Sequence, residues 1–404
     1  LLRAGDDDVA AQLLFRFIEG AWARGRDTTA TLKDLALLEG RVRGATAAEY
    51  SYWRAEALRH TGKLEDAKTH AQTARMAFAE LGDPRREAHT LRLLGHLASD
   101  MGHPAQGRIL VEEALARFVA IRDTRGRAQA NVVLGEIDYL LGEHGRAQAI
   151  LTDARVLCQE VHDDLGRAQA LILLAMIETS DGNAKKAQAL LVEARHAFDA
   201  IGYRLGIAQC DVVLGHADHR AMKLELARTR SLAARSAFRE LVNPRGEAAC
   251  ERLLAMVAFD LDDHAGATLH ATVAARIFEK LRDPWGDLET RLLHTQIALA
   301  REDEDAGRLV AECDAIQLDE AEPRQHRHLT RAWFFQTHQR WVEAAAELDF
   351  ARNAFADRNK CGDHTPHLLL RFSHLPWGQP AATKIEDWIA ALEDSGGMPD
   401  ELSF

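Results

Sequence analysis

The sequence predicts an all-α protein, an α-solenoid built from antiparallel helix pairs. Related segments recur every forty residues, and apolar residues inside each segment fall at helical spacing. Small residues also occupy equivalent positions in successive segments, where two helices could pack closely. The recurrence is clearest at one position that carries a large aliphatic residue each time: Leu81, Ile121, Val161, Ile201, Leu241 and Leu281.

Each segment reads as a helix, a tight turn and a second helix. In one of them, Val133, Leu134 and Ile137 mark an apolar helix face, and Leu151 and Ala154 mark the next. Glycines at the intervening turn, and Asp-Pro or Asn-Pro pairs at several helix starts, agree with this division. One helix pair cannot bury its apolar face alone, so neighbouring segments are expected to stack.

The outer segments follow this pattern less closely. Residues 1–44 are predicted to form an N-terminal helix pair, either a divergent repeat or a cap. Residues 45–358 are predicted to form the main array, with about eight repeats. Residues 359–404 are predicted to be a C-terminal tail with one capping helix, over residues 385–392. Atypical end segments are expected where the last apolar face must be shielded.

The amino-acid composition indicates which classes of protein the chain can belong to. The 404 residues are 47% hydrophobic and 28% charged, as in soluble folded proteins, and the net charge is -12. An acidic chain is poorly suited to phosphate backbones, so no nucleic-acid partner is expected. The five cysteines form no close pair, which favours the reducing cytoplasm, and no apolar run predicts a membrane segment. Because the sequence begins with Leu1 and not with an initiating Met, the chain is expected to be a piece of a larger protein.

The repeat resembles the tetratricopeptide repeat (TPR) in the order and spacing of Leu134, Gly135, Gly142, Ala147 and Ala154. The usual TPR period is about 34 residues, so a ~40-residue period resembles the long-helix variants. The connector "NPRGEA", residues 243–248, is similar to those in arrays of bacterial signal-transduction ATPases and transcriptional activators. This resemblance implies a right-handed superhelix whose first helices line a concave groove.

The sequence offers little for catalysis. No phosphate-binding loop, nucleophile elbow or HExxH motif occurs, so neither an enzyme nor a cofactor is expected. Cys361, His364 and His367 in "CGDHTPH" are candidate metal ligands, as are His216 and His219, one helical turn apart. With nineteen histidines such groupings arise by coincidence, and no metal site is predicted.

The resemblance implies that ligands contact first-helix positions away from the packing residues. Gln129, Gln169 and Gln209 share one such position, where their amides could form hydrogen bonds with a peptide backbone. The full predicted partner-binding set is His89, Arg92, His96, Gln129, Glu136, Tyr139, Gln169, Met176, Gln209, His216, His219, Arg220, Arg252, Met256 and Phe259.

These observations predict a protein–protein interaction scaffold or sensor module that binds a protein or peptide in its concave groove. Such a module is expected to be the regulatory part of a larger bacterial signalling protein. The alternative is a small-ligand-sensing or metal-dependent regulatory domain. The sequence leaves open whether the protein forms a homo-oligomer.

Overall fold

The computed structural model describes residues 7–22, 28–181, 183–316, 318, 321–354 and 365–394, and this part of the chain contains helices and turns but no strand. Its twenty helices are α1 Asp7–Trp22, α2 Thr28–Ala36, α3 Gly44–His60, α4 Leu64–Glu80, α5 Pro84–Asp100, α6 Pro104–Ala120, α7 Thr124–Leu140, α8 His144–Glu160, α9 Asp164–Ser180, α10 Ala184–Ala200, α11 Arg204–Arg220, α12 Leu224–Glu240, α13 Pro244–Asp260, α14 His264–Leu281, α15 Pro284–Ala300, α16 Ala306–Asp314, α17 Ala321–Thr337, α18 Trp341–Arg352, α19 Thr365–Ser373 and α20 Ala381–Asp394.

The helices pack in consecutive pairs. From α3 to α17 each first helix packs on the second helix of its own pair, and that second helix packs on the next first helix, as α5, α6 and α7 do; beyond them α18 packs on α20. The predicted fold class, an all-α solenoid of antiparallel helix pairs, is confirmed. None of the described helices is long and apolar enough to cross a lipid bilayer.

Glycine is required where the two helices of a pair touch. A Cβ added to Gly135 of α7 would lie 2.4 Å from Cγ of Leu151 on α8. At Gly95 of α5 an added Cβ would lie 2.5 Å from the Val111 side chain and 2.8 Å from the Gly107 carbonyl oxygen of α6. No real side chain tolerates such distances, so these positions set the closeness of the pair.

The connectors between pairs combine a helix cap with a packing site. Asp123 caps α7 by accepting a hydrogen bond from the Gly126 amide at 2.9 Å. Gly126 in turn lies against the fully buried Phe118 ring, where an added Cβ would stand 2.3 Å from the ring. The same phenylalanine–glycine contact recurs at three later connectors, which join Phe198 to Gly206, Phe238 to Gly246 and Phe278 to Gly286.

The first helices form the inner side of the array. Besides the contacts through second helices, α5 contacts α7, α7 contacts α9, α9 contacts α11, and α11 contacts α13 directly. We call the side chains that these first helices turn away from their paired second helices the inner wall. Several polar contacts run along it between positions 40 or 41 residues apart, such as His219 with Asp260.

Successive turns of the solenoid also meet. Arg245 at the start of α13 donates a hydrogen bond from Nη1 to Oδ1 of Asp100, at the end of α5, over 2.7 Å. Nearby, Gly62 lies against Leu281, and Gly102 lies against Pro284. We call these three pairings the cross-turn contact. It joins the helix–helix turns of early repeats to the connectors of later ones.

The C-terminal tail differs from the prediction. Where the sequence indicated one helix, the described residues form two, α19 and α20, because Leu368, Leu369 and Phe372 give α19 a buried face of its own. Pro366 stands at the second position of α19, within the first turn, where proline is tolerated. The predicted boundaries at residues 44/45 and 358/359 remain predictions.

Candidate functional site

Two predicted partner-binding residues hold neighbouring repeats together instead of facing open space. The Gln129 amide donates a hydrogen bond to Oδ2 of Asp163, the cap of α9, over 3.0 Å. The His89 ring packs on Phe118, and its Nε2 lies 3.7 Å from Oδ2 of Asp123. Each side chain reaches from a first helix to the connector of the next repeat. Inter-repeat packing therefore accounts for both.

The other glutamines of the predicted row remain accessible. Gln169 on α9 and Gln209 on α11 are exposed. Gln129, by contrast, is half-buried and held by Asp163. Any peptide contact from this row would therefore come from α9 and α11.

The N-terminal part of the inner wall carries a buried ion-pair cluster on α3 and α5. Glu56 accepts hydrogen bonds at Oε1 from Arg92 Nη2 at 3.1 Å and from the Tyr52 hydroxyl at 3.2 Å. Arg59 Nε lies 3.7 Å from its Oε2. Burial raises the pKa of Glu56, but the charges of Arg92 and Arg59 outweigh burial and bring it to about 2. Glu56 therefore stays ionised at neutral pH.

The cluster continues toward α7 and the cross-turn contact. Arg59 Nη1 donates to Oδ2 of Asp100 at 3.1 Å, and His96 Nε2 lies 3.2 Å from Oε2 of Glu136. Burial raises the pKa of Asp100, but Arg245 and Arg59 hold it well below its usual range. We call Tyr52, Glu56, Arg59, Arg92, His96, Asp100 and Glu136 the N-terminal charge cluster.

The predicted partner-binding set includes Arg92, His96 and Glu136. It omits the α3 residues Tyr52 and Glu56, which bind Arg92. The repeat spacing in the sequence does point to these two residues of α3. Tyr52 and Glu56 occupy, forty residues earlier, the positions of Arg92 and His96. The repeat containing α3 lacks the usual connector, so the connector pattern does not point to its first helix.

The middle of the inner wall is polar and only partly covered. The Tyr139 hydroxyl lies 3.4 Å from the Ser180 hydroxyl, and its ring stacks on His144 at 5.2 Å. Arg220 is buried and donates from Nη2 to the Ser180 carbonyl at 3.5 Å. Met176 and His216, between these groups on α9 and α11, are half-buried.

Arg252 belongs to a buried polar chain further along the wall. Its guanidinium stacks over Trp285 at 4.9 Å from the ring centroid, and Nη1 lies 3.9 Å from Oε2 of Glu289. The same Glu289 oxygen lies 2.7 Å from Nδ1 of His326 on α17. Arg252 thus links three first helices, α13, α15 and α17.

Helix α19 covers the C-terminal part of the predicted groove. Arg371 of α19 lies 4.1 Å from the Phe259 ring centroid and donates from Nη2 to the Phe259 carbonyl at 3.1 Å. Met256 and Phe259 are only 2% and 4% exposed. His219 is buried beside His367 of α19. These three predicted partner-binding residues therefore contact the protein's own tail rather than an open groove.

A cluster of three ligand-type side chains lies in this contact. His219 Nε2 is 2.7 Å, and His367 Nδ1 3.0 Å, from the same oxygen, Oδ2 of Asp260. Burial and the neighbouring His219 lower the pKa of His367, while burial of Asp260 is outweighed by the two histidines, so that the pKa of Asp260 lies far below its usual range. Cys361 and His364, the candidate ligands grouped with His367 in the sequence, lie outside the described residues.

The four cysteines in the described part of the chain are buried packing residues. Burial raises the pKa of Cys158, Cys210 and Cys250 to about 12, and that of Cys313 to about 11. Thiols with such pKa values hold almost no thiolate at neutral pH and are poor nucleophiles. These four cysteines therefore act as small core residues.

Comparison with known proteins identifies the fold. No protein-family model matches the chain, and no curated protein matches it. The solved structure of a Rap protein complexed with Competence and Sporulation Factor is 14% identical, covers 69% of this chain and 81% of its own, and has a TM-score of 0.51. The Rap conjugation gene regulator of plasmid pLS20, in complex with the Phr* peptide, is 13% identical, covers 86% and 95%, and has a TM-score of 0.58.

The chain has a TPR-like helical-repeat fold. At these identities the likeness concerns the fold alone. The similarity to arrays of bacterial signal-transduction ATPases stays a prediction from the connectors.

Proposed function

We propose that the protein is a binding scaffold for a peptide or a protein segment, which it holds against the middle of the inner wall. The observation that carries this proposal is the partly exposed polar stretch that runs from Glu136, at the edge of the N-terminal charge cluster, to the surface covered by α19. It comprises Glu136, Tyr139, Gln169, Met176, Gln209 and His216.

The chemistry of this stretch suits a peptide. Exposed amides such as those of Gln169 and Gln209 offer both a donor and an acceptor, which is what a peptide backbone presents in return. Met176 adds an adaptable apolar contact. The Glu136 carboxylate is paired with His96 at 3.2 Å, but its side chain is 36% exposed and can accept a further hydrogen bond from the ligand. The two Rap proteins of similar fold were solved in complex with Competence and Sporulation Factor and with a Phr* peptide, which supports this ligand class.

The proposal also includes the wider role of the scaffold and its location in the cell. The scaffold acts as the regulatory part of a larger bacterial signalling protein in the cytoplasm, without catalytic activity of its own. Ligand occupancy of the inner wall would be passed to that protein through the stacked first helices, which contact one another along the array.

A random linear-peptide display library, selected on the immobilised chain, tests the proposal. We expect enriched peptides whose binding, followed by fluorescence anisotropy, weakens about tenfold or more for the double variant Gln169→Ala and Met176→Ala, because a few central contacts carry most binding energy. Gln159→Ala, on the exposed face of α8, is the matched control and should bind normally. Failure to enrich any peptide, or equal weakening by the control, contradicts the proposal.

A further inference from the structure

We propose that His219, Asp260 and His367 form a binding site for one divalent transition-metal ion such as Zn²⁺, which fastens α19 to the inner wall. The ligand atoms of the three side chains all lie within 4.8 Å of one another. They come from three helices, α11, α13 and α19, that are distant in sequence. Two imidazoles and one carboxylate are a ligand set that suits zinc and related ions.

The spacing of the ligand atoms is close to that of a filled site. Around an ion about 2.0–2.1 Å from each atom, tetrahedral ligand atoms stand about 3.3 Å apart. Asp260 Oδ2 is now 2.7 Å from Nε2 of His219 and 3.0 Å from Nδ1 of His367. The two rings lie face to face, 4.1 Å apart, each with a nitrogen at this oxygen. An ion must lie near the plane of each imidazole that binds it, so the two rings have to rotate out of this stack to share one.

The rearrangement also changes which ring nitrogens carry the protons. Metal binding through Nε2 of His219 and Nδ1 of His367 requires the proton of each neutral imidazole to sit on the other nitrogen. Those other atoms, His219 Nδ1 and His367 Nε2, are buried and have no hydrogen-bond partner among the described residues. Moving the protons there gives up the two hydrogen bonds to Asp260, and the bonds from the ion to the three ligand atoms take their place.

A small cavity provides room for a fourth ligand. It measures about 20 Å³, enough for roughly one water molecule. All three proposed ligands line it, and Met256, Leu293 and Leu368 form its apolar walls. A zinc ion with three protein ligands commonly takes a water at the fourth position.

The local charges set how tightly an ion would bind. His219 and Asp260 stand in the last turns of α11 and α13, where the helix dipoles favour a cation. Arg371 opposes it, because Nη2 lies 3.8 Å from Oδ1 of Asp260. This guanidinium is also shared with Asp262 at 3.6 Å and with the Phe259 carbonyl, and it leaves the second carboxylate oxygen, Oδ2, to the ion. Arg220 follows His219 directly and adds a second opposing charge.

The test is a titration of the metal-stripped full chain with Zn²⁺ by isothermal calorimetry at neutral pH. We expect one equivalent to bind, and His367→Ala to weaken binding by at least about tenfold, since loss of even an outer-shell partner has an effect of that size. His374→Ala is the matched control, because His374 is exposed just beyond α19. It should bind as the unchanged chain does.

A second measurement tests the metal site even if His367→Ala folds poorly. His367→Gln keeps a polar group beside Asp260 and should lose the rise in melting temperature that Zn²⁺ gives the unchanged chain. With Co²⁺ we expect the visible bands of a tetrahedral site with nitrogen and oxygen ligands. Equal binding by His367→Ala, no binding at all, or a thiolate-to-cobalt charge-transfer band would each overturn the assignment. No peptide takes part, so the result is independent of the peptide selection.

Discussion

Replacing Glu56 by glutamine should destabilise the protein at neutral pH but hardly at all in acid. Glu56 is 7% exposed and lies between Arg92 and Arg59, which together bring its pKa from 4.5 to about 2 against the effect of burial. This lowering corresponds to about 3 kcal/mol of unfolding free energy above the ordinary pKa. Glutamine has nearly the same shape and carries no charge, so it removes the pH-dependent part.

The sign follows from the direction of the shift. Because the pKa of Glu56 is lower in the folded chain than in the unfolded chain, its ion pairs stabilise the protein fully above about pH 4.5. That stabilisation disappears as the pH falls toward about 2. The stability difference between the unchanged chain and Glu56→Gln should therefore shrink from about 3 kcal/mol at neutral pH to near zero in acid.

Urea unfolding followed by far-ultraviolet circular dichroism, at a series of pH values, measures this difference. Glu65→Gln is the control, since Glu65 is exposed on α4 and should change stability by less than about 0.5 kcal/mol at any pH. A Glu56→Gln difference that stays constant from neutral pH into acid would refute the electrostatic reasoning. So would a difference at neutral pH no larger than that of the control.

Two further predictions concern the packing of the array. Gly126→Ala should lower the free energy of unfolding by about 1–3 kcal/mol, because its Cβ would stand 2.3 Å from the buried Phe118 ring, whereas Gly145→Ala, with nothing within 4 Å, should not lower it. Arg245→Ala removes one pairing of the cross-turn contact and should increase the radius of gyration in small-angle X-ray scattering. Arg204→Ala, which loses only an exposed ion pair, should leave that radius unchanged.

The helix pairs were predictable because their signals are local. Caps such as Asp123, connector glycines such as Gly126 and the spacing of apolar residues all act within about one repeat, and each is legible in the sequence. The same reliance on local signals explains why some predicted partner-binding residues of the inner wall instead contact the next repeat. The position of Gln129 along its helix suggested an open groove, but its amide reaches Asp163 of the following connector.

The tail and the cross-turn contact depend on long-range pairings that periodicity does not encode. Arg371 meets Phe259 across 112 residues of sequence, and Arg245 meets Asp100 across 145. Repeat periodicity therefore does not predict the burial of Phe259 under α19 or the contact between His219 and His367.

The cross-turn contact has a consequence for how such a chain can evolve. In a simple stack each unit touches only its neighbours, so units can be duplicated or lost with little penalty. Here Asp100 and Gly102 must arrive opposite Arg245 and Pro284, which fixes the number of units between them. Inserting or deleting one unit in that interval would separate these surfaces, whereas the same change beyond them would not.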